Sequence, residues 1–418
     1  MLLWRISMEP INYNLLSGID KELGTPFYIM DGDLYRTNIR NFLQAFKERY
    51  ADVIAGYSFK TNYVPALCQI AKEEGAYAEV VSEMEYALAR KLGFNHIIFN
   101  GPIKKAPVLR DALNHGCVVN LDSMYEVDEV IAFQKERNCA RLNVGLRLNI
   151  DLKSEDGVSH VQCGLREGRF GFPKDLIALA IKRLKEYNVE IVSLHGHTSS
   201  SDRAVDNYKL ITKQMLSICE LHELNELRYF DVGGGFFGAA AKGIDVSHKP
   251  KYQDYAQAIL DLTLSDTWFN AVKPAIVIEP GVSVVANVFS YVSKLFQHKE
   301  INGQHFISTD GTVFDVKPTM HSNNLPHEVI QANPTTATCI YNVVGSTCME
   351  KDVILKEVEL PELQYGDYLM IHGVGAYTIA LTPTFINYLS PIISLSDVGV
   401  KVVRRRQTIE DVTELYKF

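Results

Sequence analysis

The sequence predicts an α/β protein, an eight-stranded TIM-type barrel with a second all-β domain. Between Val53 and Glu279, short runs rich in Val, Ile, Leu and Phe alternate with segments of helical apolar spacing, and the runs number eight. Beyond Glu279 the pattern turns to alternating β-branched and aromatic residues punctuated by Gly, Pro and Asn.

The eight runs are VIAGYSF, YAEVV, HIIF, CVVNL, LNVGLRL, EIVSLH, LRYFDV and PAIVIE. Near-continuous apolar strands are expected where both faces are covered, hence in a parallel sheet, and eight strand–helix repeats give a barrel, with a doubly wound sheet as the alternative. Helical spacing falls in segments 61–75, 83–92, 124–137, 173–187, 204–222 and 251–264. The later runs VSVVANVFSYVSKLF, HFISTD, ATCIYNVVG, DVILKEVEL and DYLMIHG read as strands of the second domain. The closing stretch VGVKVVRRRQTIEDVTELY reads as one more strand and a short helix, with Thr408 as N-cap and Glu410 and Asp411 in the first turn. The expected domains are residues 27–282 for the barrel and residues 1–26 with 283–418 for the β domain.

Size and composition agree. A chain of 418 residues exceeds one small core, and 47% hydrophobic with 22% charged residues describes an ordinary globular chain. The net charge of -8 argues against a general nucleic-acid footprint. The one dense basic run, Arg404-Arg405-Arg406, is followed by Glu410 and Asp411 and reads as a salt-bridged surface. Seven scattered cysteines without a C-x-x-C pair fit a reduced compartment. The apolar start Met1-Leu2-Leu3-Trp4 is interrupted by Arg5 and Glu9 before a secretory core or a membrane span forms, so the cytoplasm is the expected location; Met8 offers an alternative start.

In a TIM-type barrel, active groups lie at the carboxyl ends of the strands. Lys60, in YSFKTN, follows the first run, where partial burial lowers an amine's pKa and favours imine formation. His195 and His197 form an H-x-H pair whose rings face one side of an extended strand, suited either to metal ligation, with Asp231 as the best further ligand, or to stacking on an aromatic cofactor. Gly233-Gly234-Gly235 after the seventh run and Glu279-Pro280-Gly281 after the eighth occupy the loops that commonly bind phosphate in barrels. A carboxylate at Glu279 could also pair with a protonated pyridine nitrogen.

These residues, with EVVSEME from Glu79, NLDS, RLN, RFGF, HGHTSSS, DVGGGF, EPG, GSTCMEKD, GDYL, GAY and RRRQTIEDV, resemble in order the diaminopimelate and ornithine decarboxylase family, the barrel-type pyridoxal-phosphate enzymes related to alanine racemase. The resemblance implies pyridoxal 5'-phosphate as cofactor, Lys60 as imine lysine and His197 stacked on the cofactor ring. It implies that Glu279 holds the pyridinium nitrogen, and that Ser200, Gly234, Gly235, Gly281 and Tyr377 surround the phosphate. Glu79 and Arg147 fall near the lysine and cofactor. It further implies a head-to-tail homodimer with sites between subunits, so that Cys348, the candidate acid for reprotonating the α-carbon, comes from the partner chain. No metal is implied.

The chain departs from the family pattern at several positions. Val282 stands where E-P-G-R has its arginine, which removes an anion contact, and Ser199 replaces a glycine. The R-P-x-x-Y substrate motif reads Lys317-Pro318-Thr319-Met320-His321, exchanging a planar fork for a point charge. The acidic residue expected after the cysteine is Met349, followed by Glu350. Lys317, His321, Met349 and Glu350 are therefore the candidate substrate contacts, and decarboxylation of a different or specialised amino acid is expected. Diaminopimelate decarboxylation itself, racemisation, a non-catalytic regulatory homologue and a metal-dependent hydrolase stay open as alternatives.

Overall fold

The computed structural model describes residues 11–137, 141–150, 152–153, 168–200, 202–396 and 399–417. Its strands are, in chain order, β1 (Phe27–Met30), β2 (Val53–Ser58), β3 (Tyr77–Val80), β4 (Ile97–Phe99), β5 (Val118–Leu121), β6 (Leu142–Arg147), β7 (Val189–His195), β8 (Tyr229–Asp231), β9 (Ala275–Ile278), β10 (Phe289–Ile301), β11 (Gln304–Thr309), β12 (His327–Ile330), β13 (Thr338–Val344), β14 (Val353–Pro361), β15 (Tyr368–His372), β16 (Ile392–Ser396) and β17 (Gly399–Arg404). They fall in two compact units. One is Arg36–Gly238 with Ser247–Val284, and the other is Met1–Tyr35 with Ala239–Val246 and Val285–Phe418.

In the first unit β2 to β9 close into a parallel barrel, the eight runs legible in the sequence, sealed where β2 meets β9 with Val53 opposite Ile276. All seven positions of β7 are buried, as strands covered on both faces require. The register sets Arg147 opposite His195 and His195 opposite Asp231, so three polar side chains arrive level at the carboxyl end. Inside the barrel, a Cβ on Gly145 would lie 1.8 Å from Asn120 Oδ1 and 2.7 Å from Ser193 Cβ, so only glycine lets Asn120 reach inward. Helices cover the strands. Glu83–Lys91 shows how they are specified: Ser82 Oγ accepts the Glu85 N–H at 3.2 Å, acidic residues open the helix, and Arg90 and Lys91 close it. Helices Ala106–Asn114 and Thr267–Val272 also lie between barrel strands, where the sequence pattern gave no expectation of them.

In the second unit nine strands form one sheet in the order β14-β13-β11-β10-β1-β16-β17, with β15 joining β10 and β12. β10 is its trunk. Its first half bonds to β1 and β15, its second half to β11, and the register shifts between Leu295 and Gln297 where the two parts diverge. Leu16, Ile19, Phe27, Ile29, Val292, Tyr368, Met370 and Ile393 pack into a core beneath it.

Three expectations are corrected. The limit at residue 27 differs from the compact units because β1 is hydrogen-bonded on both edges, to β10 and β16, inside the sheet. In VSVVANVFSYVSKLF the first four residues form a helical turn, Val282–Val285; a short apolar run does not distinguish strand from buried turn, and Val284 and Val285 are both buried. Of the three arginines, Arg405 pairs with Asp411 at 2.5 and 2.6 Å. Arg404 donates instead to Ser390 O at 2.7 Å, and Arg406 to Gly24 O and Pro26 O at 3.0 Å. The closing helix Ile409–Thr413 starts at Thr408, whose N–H donates to Asp411 at 2.9 Å. The described cysteines, Cys68, Cys117, Cys219, Cys339 and Cys348, are free thiols; Cys139, Cys163 and the start at Met8 lie outside the described residues. Among the described residues no helix is long and apolar enough to cross a membrane.

Candidate active site

The carboxyl ends of the barrel strands gather the polar residues. Lys60 sits in a single 3-10 turn, Phe59–Thr61, directly after β2. Its Nζ lies 2.6 Å from Glu79 Oε2 and 3.2 Å from Ser58 Oγ, and Ser58 donates to the same Glu79 oxygen at 2.6 Å. Glu79 is 1% exposed whereas the Lys60 side chain is 31% exposed, so the amine stays reachable while its counter-ion is fixed within the barrel.

On the other side of β2, Glu279 follows β9. Its Oε1 accepts from Asn100 Nδ2 at 2.5 Å, and its Oε2 lies 3.6 Å from His195 Nε2. Asp231 accepts the Gly233 N–H at 2.9 Å, and burial, then the charge of Glu279, holds its carboxyl well above the usual range. Burial also drives His195 well below its ordinary value, and neither of its ring nitrogens has a hydrogen-bond partner.

His197 differs in its bonding. Its Nδ1 accepts the Gly234 N–H at 3.1 Å, which places the ring proton of the neutral imidazole on Nε2. Desolvation and the nearby Arg147 push this imidazole down to about 3, so it presents an uncharged flat face at neutral pH. Arg147 Nη2 donates to His197 O at 3.2 Å, and Nη1 lies 3.4 Å from Asp122 Oδ2. The glycines are obligatory: Gly233 and Gly235 have φ of 72° and 92°, a Cβ on Gly234 would stand 2.5 Å from Glu279 O, and one on Gly281 would stand 2.4 Å from Thr61 Oγ1. Ser200 Oγ accepts the Arg203 N–H at 3.1 Å.

The ligand atoms of His195, Asp231 and Glu279 also lie within 4.8 Å of one another, a grouping that could hold a metal ion. It is not the H-x-H pair considered from sequence, because His197 Nδ1 is engaged by Gly234. Comparison with known proteins separates the two chemistries. A family model, the pyridoxal binding domain of pyridoxal-dependent decarboxylases, matches residues 36–286. The chain belongs to that family. The decarboxylase is 28% identical over 402 residues to diaminopimelate decarboxylase of Helicobacter pylori, covering 94% of this chain and 95% of the relative. A crystal structure of the H. pylori enzyme complexed with L-lysine matches with TM-score 0.82 at 26% identity, covering 96% of this chain and 98% of that one. The M. jannaschii diaminopimelate decarboxylase, at 24% identity, shares the fold with TM-score 0.84 over 96% of this chain and 94% of that one. The decarboxylase is thus a pyridoxal-phosphate-dependent carboxy-lyase acting on an amino acid.

The residues fit the cofactor. Buried atoms without partners at the barrel mouth, namely both His195 nitrogens, Asp231 Oδ2, Asn120 Oδ1 and Arg147 Nε, indicate a site made for a polar aromatic group. An accessible amine meets the need for an aldehyde partner, buried carboxylates suit a pyridine nitrogen, and loops with no room for a Cβ bring backbone close to an anion.

The remaining expected residues belong to the second unit. Lys317, 4% exposed, closes the helical turn Val313–Val316, and its Nζ lies 3.4 Å from Asn323 O; burial lowers its pKa. His321 is exposed and its pKa is lowered by burial and then by Lys317. Cys348 and Glu350 are exposed, and Met349 is half-buried. Asp352, 3% exposed, accepts from Thr347 N–H at 3.0 Å and Thr347 Oγ1 at 2.6 Å and from Val313 N–H at 2.6 Å, and so braces the Cys348 loop to the turn that ends at Lys317. Tyr377 is 40% exposed with a φ of 52°.

Sequence reasoning missed Asn100, Lys104, Glu126 and Asp352. Asp352 closes the GSTCMEKD motif but was given no role, Lys104 and Glu126 lie in no motif, and only the strand-end position of Asn100, just after HIIF, marked it. It also missed Glu85, 5% exposed, whose Oε2 accepts the Val81 N–H at 2.7 Å. Burial pushes this carboxyl up to about 7 from an ordinary value of 4.5. Because the folded pKa exceeds the unfolded one, Glu85 favours folding fully below pH 4.5, and that contribution is lost as pH rises through 7. The loss amounts to about 3 kcal/mol. Glu85→Gln keeps an oxygen for Val81, so it should flatten the fall in stability between pH 5 and 8 seen by urea unfolding; identical slopes for variant and parent would exclude Glu85 as the source.

Proposed function

We propose that the enzyme removes the α-carboxylate of an amino acid related to, but different from, diaminopimelate. The observation that carries the proposal is the Lys60–Glu79 contact at 2.6 Å, set in a mouth that also holds Glu279, His197 and the glycine loop. Lys60 is the residue that would hold the cofactor through its aldehyde. Glu79 would hold that nitrogen in place through the 2.6 Å contact. Glu279 would pair with the pyridine nitrogen, His197 would offer its neutral face to the ring, and Ser200, Gly234, Gly235 and Gly281 would lie at the phosphate, the role that the family resemblance also gives to Tyr377. When bound, pyridoxal phosphate supplies a ring that accepts the electron pair left by departing carbon dioxide. Arg147 holds the His197 backbone through its bond to the carbonyl.

In this reading the site is completed by a second copy of the chain in a homodimer, whose Cys348 returns a proton to the α-carbon, and the enzyme works in the cytoplasm. Lys317, His321, Met349 and Glu350 contact the substrate's distal end. The altered substrate motif favours a substrate other than diaminopimelate: a lysine ammonium at 317 grips a distal carboxylate as a point charge rather than by a bidentate fork. Val282 leaves the phosphate without the family's arginine, and loss of one charged hydrogen bond weakens cofactor binding by roughly 1.5–3 kcal/mol unless another group compensates.

A screen of basic, acidic and carboxylated amino acids for carbon dioxide release tests the proposal. Release from one amino acid at least tenfold faster than from diaminopimelate supports it. Fastest turnover of diaminopimelate overturns the altered substrate, and α-proton exchange without carbon dioxide release overturns decarboxylation.

A further inference from the structure

Asn100 sits between the two carboxylates that the cofactor reading places at opposite ends of the ring. It is 3% exposed at the carboxyl end of β4, and its one amide nitrogen donates to Glu79 Oε1 at 3.0 Å and to Glu279 Oε1 at 2.5 Å. An amide nitrogen has two hydrogens, so each carboxylate receives one. The amide orientation follows from the network: turned over, its oxygen would face both carboxylates, whereas as placed it accepts from Asn120 Nδ2 at 2.8 Å.

The backbone of Asn100 is held as firmly as its side chain. Lys104 Nζ donates to Asn100 O and Gly101 O, both at 2.7 Å, and pairs with Glu126 at 3.1 Å, with both charged side chains 0% exposed. A Cβ on Gly101, whose φ is 52°, would lie 2.2 Å from Val81 O, so this loop presses against the end of β3 that carries Glu79. Asn120 in turn needs the space that Gly145 leaves empty. The hydrogen-bonded path is therefore Lys60, Glu79, Asn100 and Glu279, with His195 Nε2 3.6 Å from Glu279 and Asp231 beside it.

We infer that Asn100 is a positioning residue that couples Glu79 to Glu279, so that the carboxylate beside Lys60 and the one that follows β9 respond as one unit. Two acidic groups on the strands that flank β2, both within reach of one nitrogen, repel each other, and a shared donor fixes both in place while offsetting that repulsion. A change at one carboxylate shifts the common amide and alters the hold on the other. The inference rests on the cofactor-site reading above, which assigns Glu79 and Glu279 to pyridoxal phosphate.

The test is a double-mutant cycle read as the pyridoxal phosphate dissociation constant, from titration of the visible absorption band of cofactor-stripped full-length protein. Glu79→Gln and Glu279→Gln are each expected to weaken binding about tenfold, and their combination to depart from the product of the single effects by about fivefold. In an Asn100→Ala background the two effects should multiply to within about twofold. Asn100→Asp, which keeps the volume but replaces the donor by an oxygen, should bind cofactor more weakly than Asn100→Ala, the reverse of what a space-filling role predicts. Thermal unfolding of each variant without cofactor identifies loss of fold. Equal coupling with and without Asn100, or better binding by Asn100→Asp than by Asn100→Ala, overturns the inference and leaves the site assignment standing. Unchanged binding in both glutamine variants overturns the site assignment and the inference with it.

Discussion

Lys60→Ala is expected to abolish the visible band formed on adding pyridoxal phosphate and to lower kcat/KM by ~10³-fold or more, which is ~4 kcal/mol of transition-state stabilisation. The reason is positional. Lys60 Nζ is the amine at the barrel mouth with an accessible side chain, whereas Lys104 is wholly buried with its Nζ engaged by Glu126 and two backbone carbonyls. The variant should stay folded, because Glu79 keeps its hydrogen bonds from Ser58 and Asn100 after losing the ammonium. Lys60→Arg separates charge from nucleophilicity: it retains a cation for Glu79 but no amine for an aldehyde, so its thermal stability should match the parent while the band is still lost. A band of parental intensity in Lys60→Ala would assign the chemistry to another lysine.

The largest effect on stability is expected at Lys104. Lys104→Met leaves Glu126, 0% exposed, without its cation, although its oxygens still accept the N–H groups of Lys104 and Asp122 at 2.8 Å. Breaking a buried pair at one end costs ~3–5 kcal/mol, corresponding to a fall in Tm on the order of 10 °C. Burial already holds Glu126 above the ordinary carboxyl range, and removing the ammonium pushes it further up. A carboxyl whose folded pKa exceeds its unfolded one destabilises as pH rises, so the deficit should be smaller at pH 5 than at pH 8. Lys104→Met combined with Glu126→Gln removes both charges and should recover most of the loss. Calorimetry at the two pH values checks each point; a Tm within about 2 °C of the parent for the single variant would show that the pair is not needed.

What the sequence reveals and conceals follows from where the specifying forces lie. All eight barrel strands were legible because strands covered on both faces carry one continuous apolar signal. The strand-end positions of Lys60, His197, Glu279 and the glycine loop were legible because apolar runs end just before them and glycines needed for close approach leave local marks. β1, β12 and β16 were not, since each is a run of four or five residues placed by long-range partners. Asn100 was concealed for a related reason: one asparagine after HIIF has no pattern until Glu79 and Glu279 are brought to either side of it. Arg406 carries the same lesson, because charge in the sequence suggested an ion pair where the fold supplies the carbonyls of Gly24 and Pro26.

The seam between β2 and β9 bears on how the enzyme is made. Val53 cannot find its partner Ile276 until more than half the chain has left the ribosome, and Glu279 lies just beyond the closing strand. The ring therefore cannot close, nor Glu279 reach the strand ends, until late in synthesis. A nascent barrel lacking its last strand has Lys60 and Glu79 but not Glu279, and a ligand that prefers the shut form holds it shut.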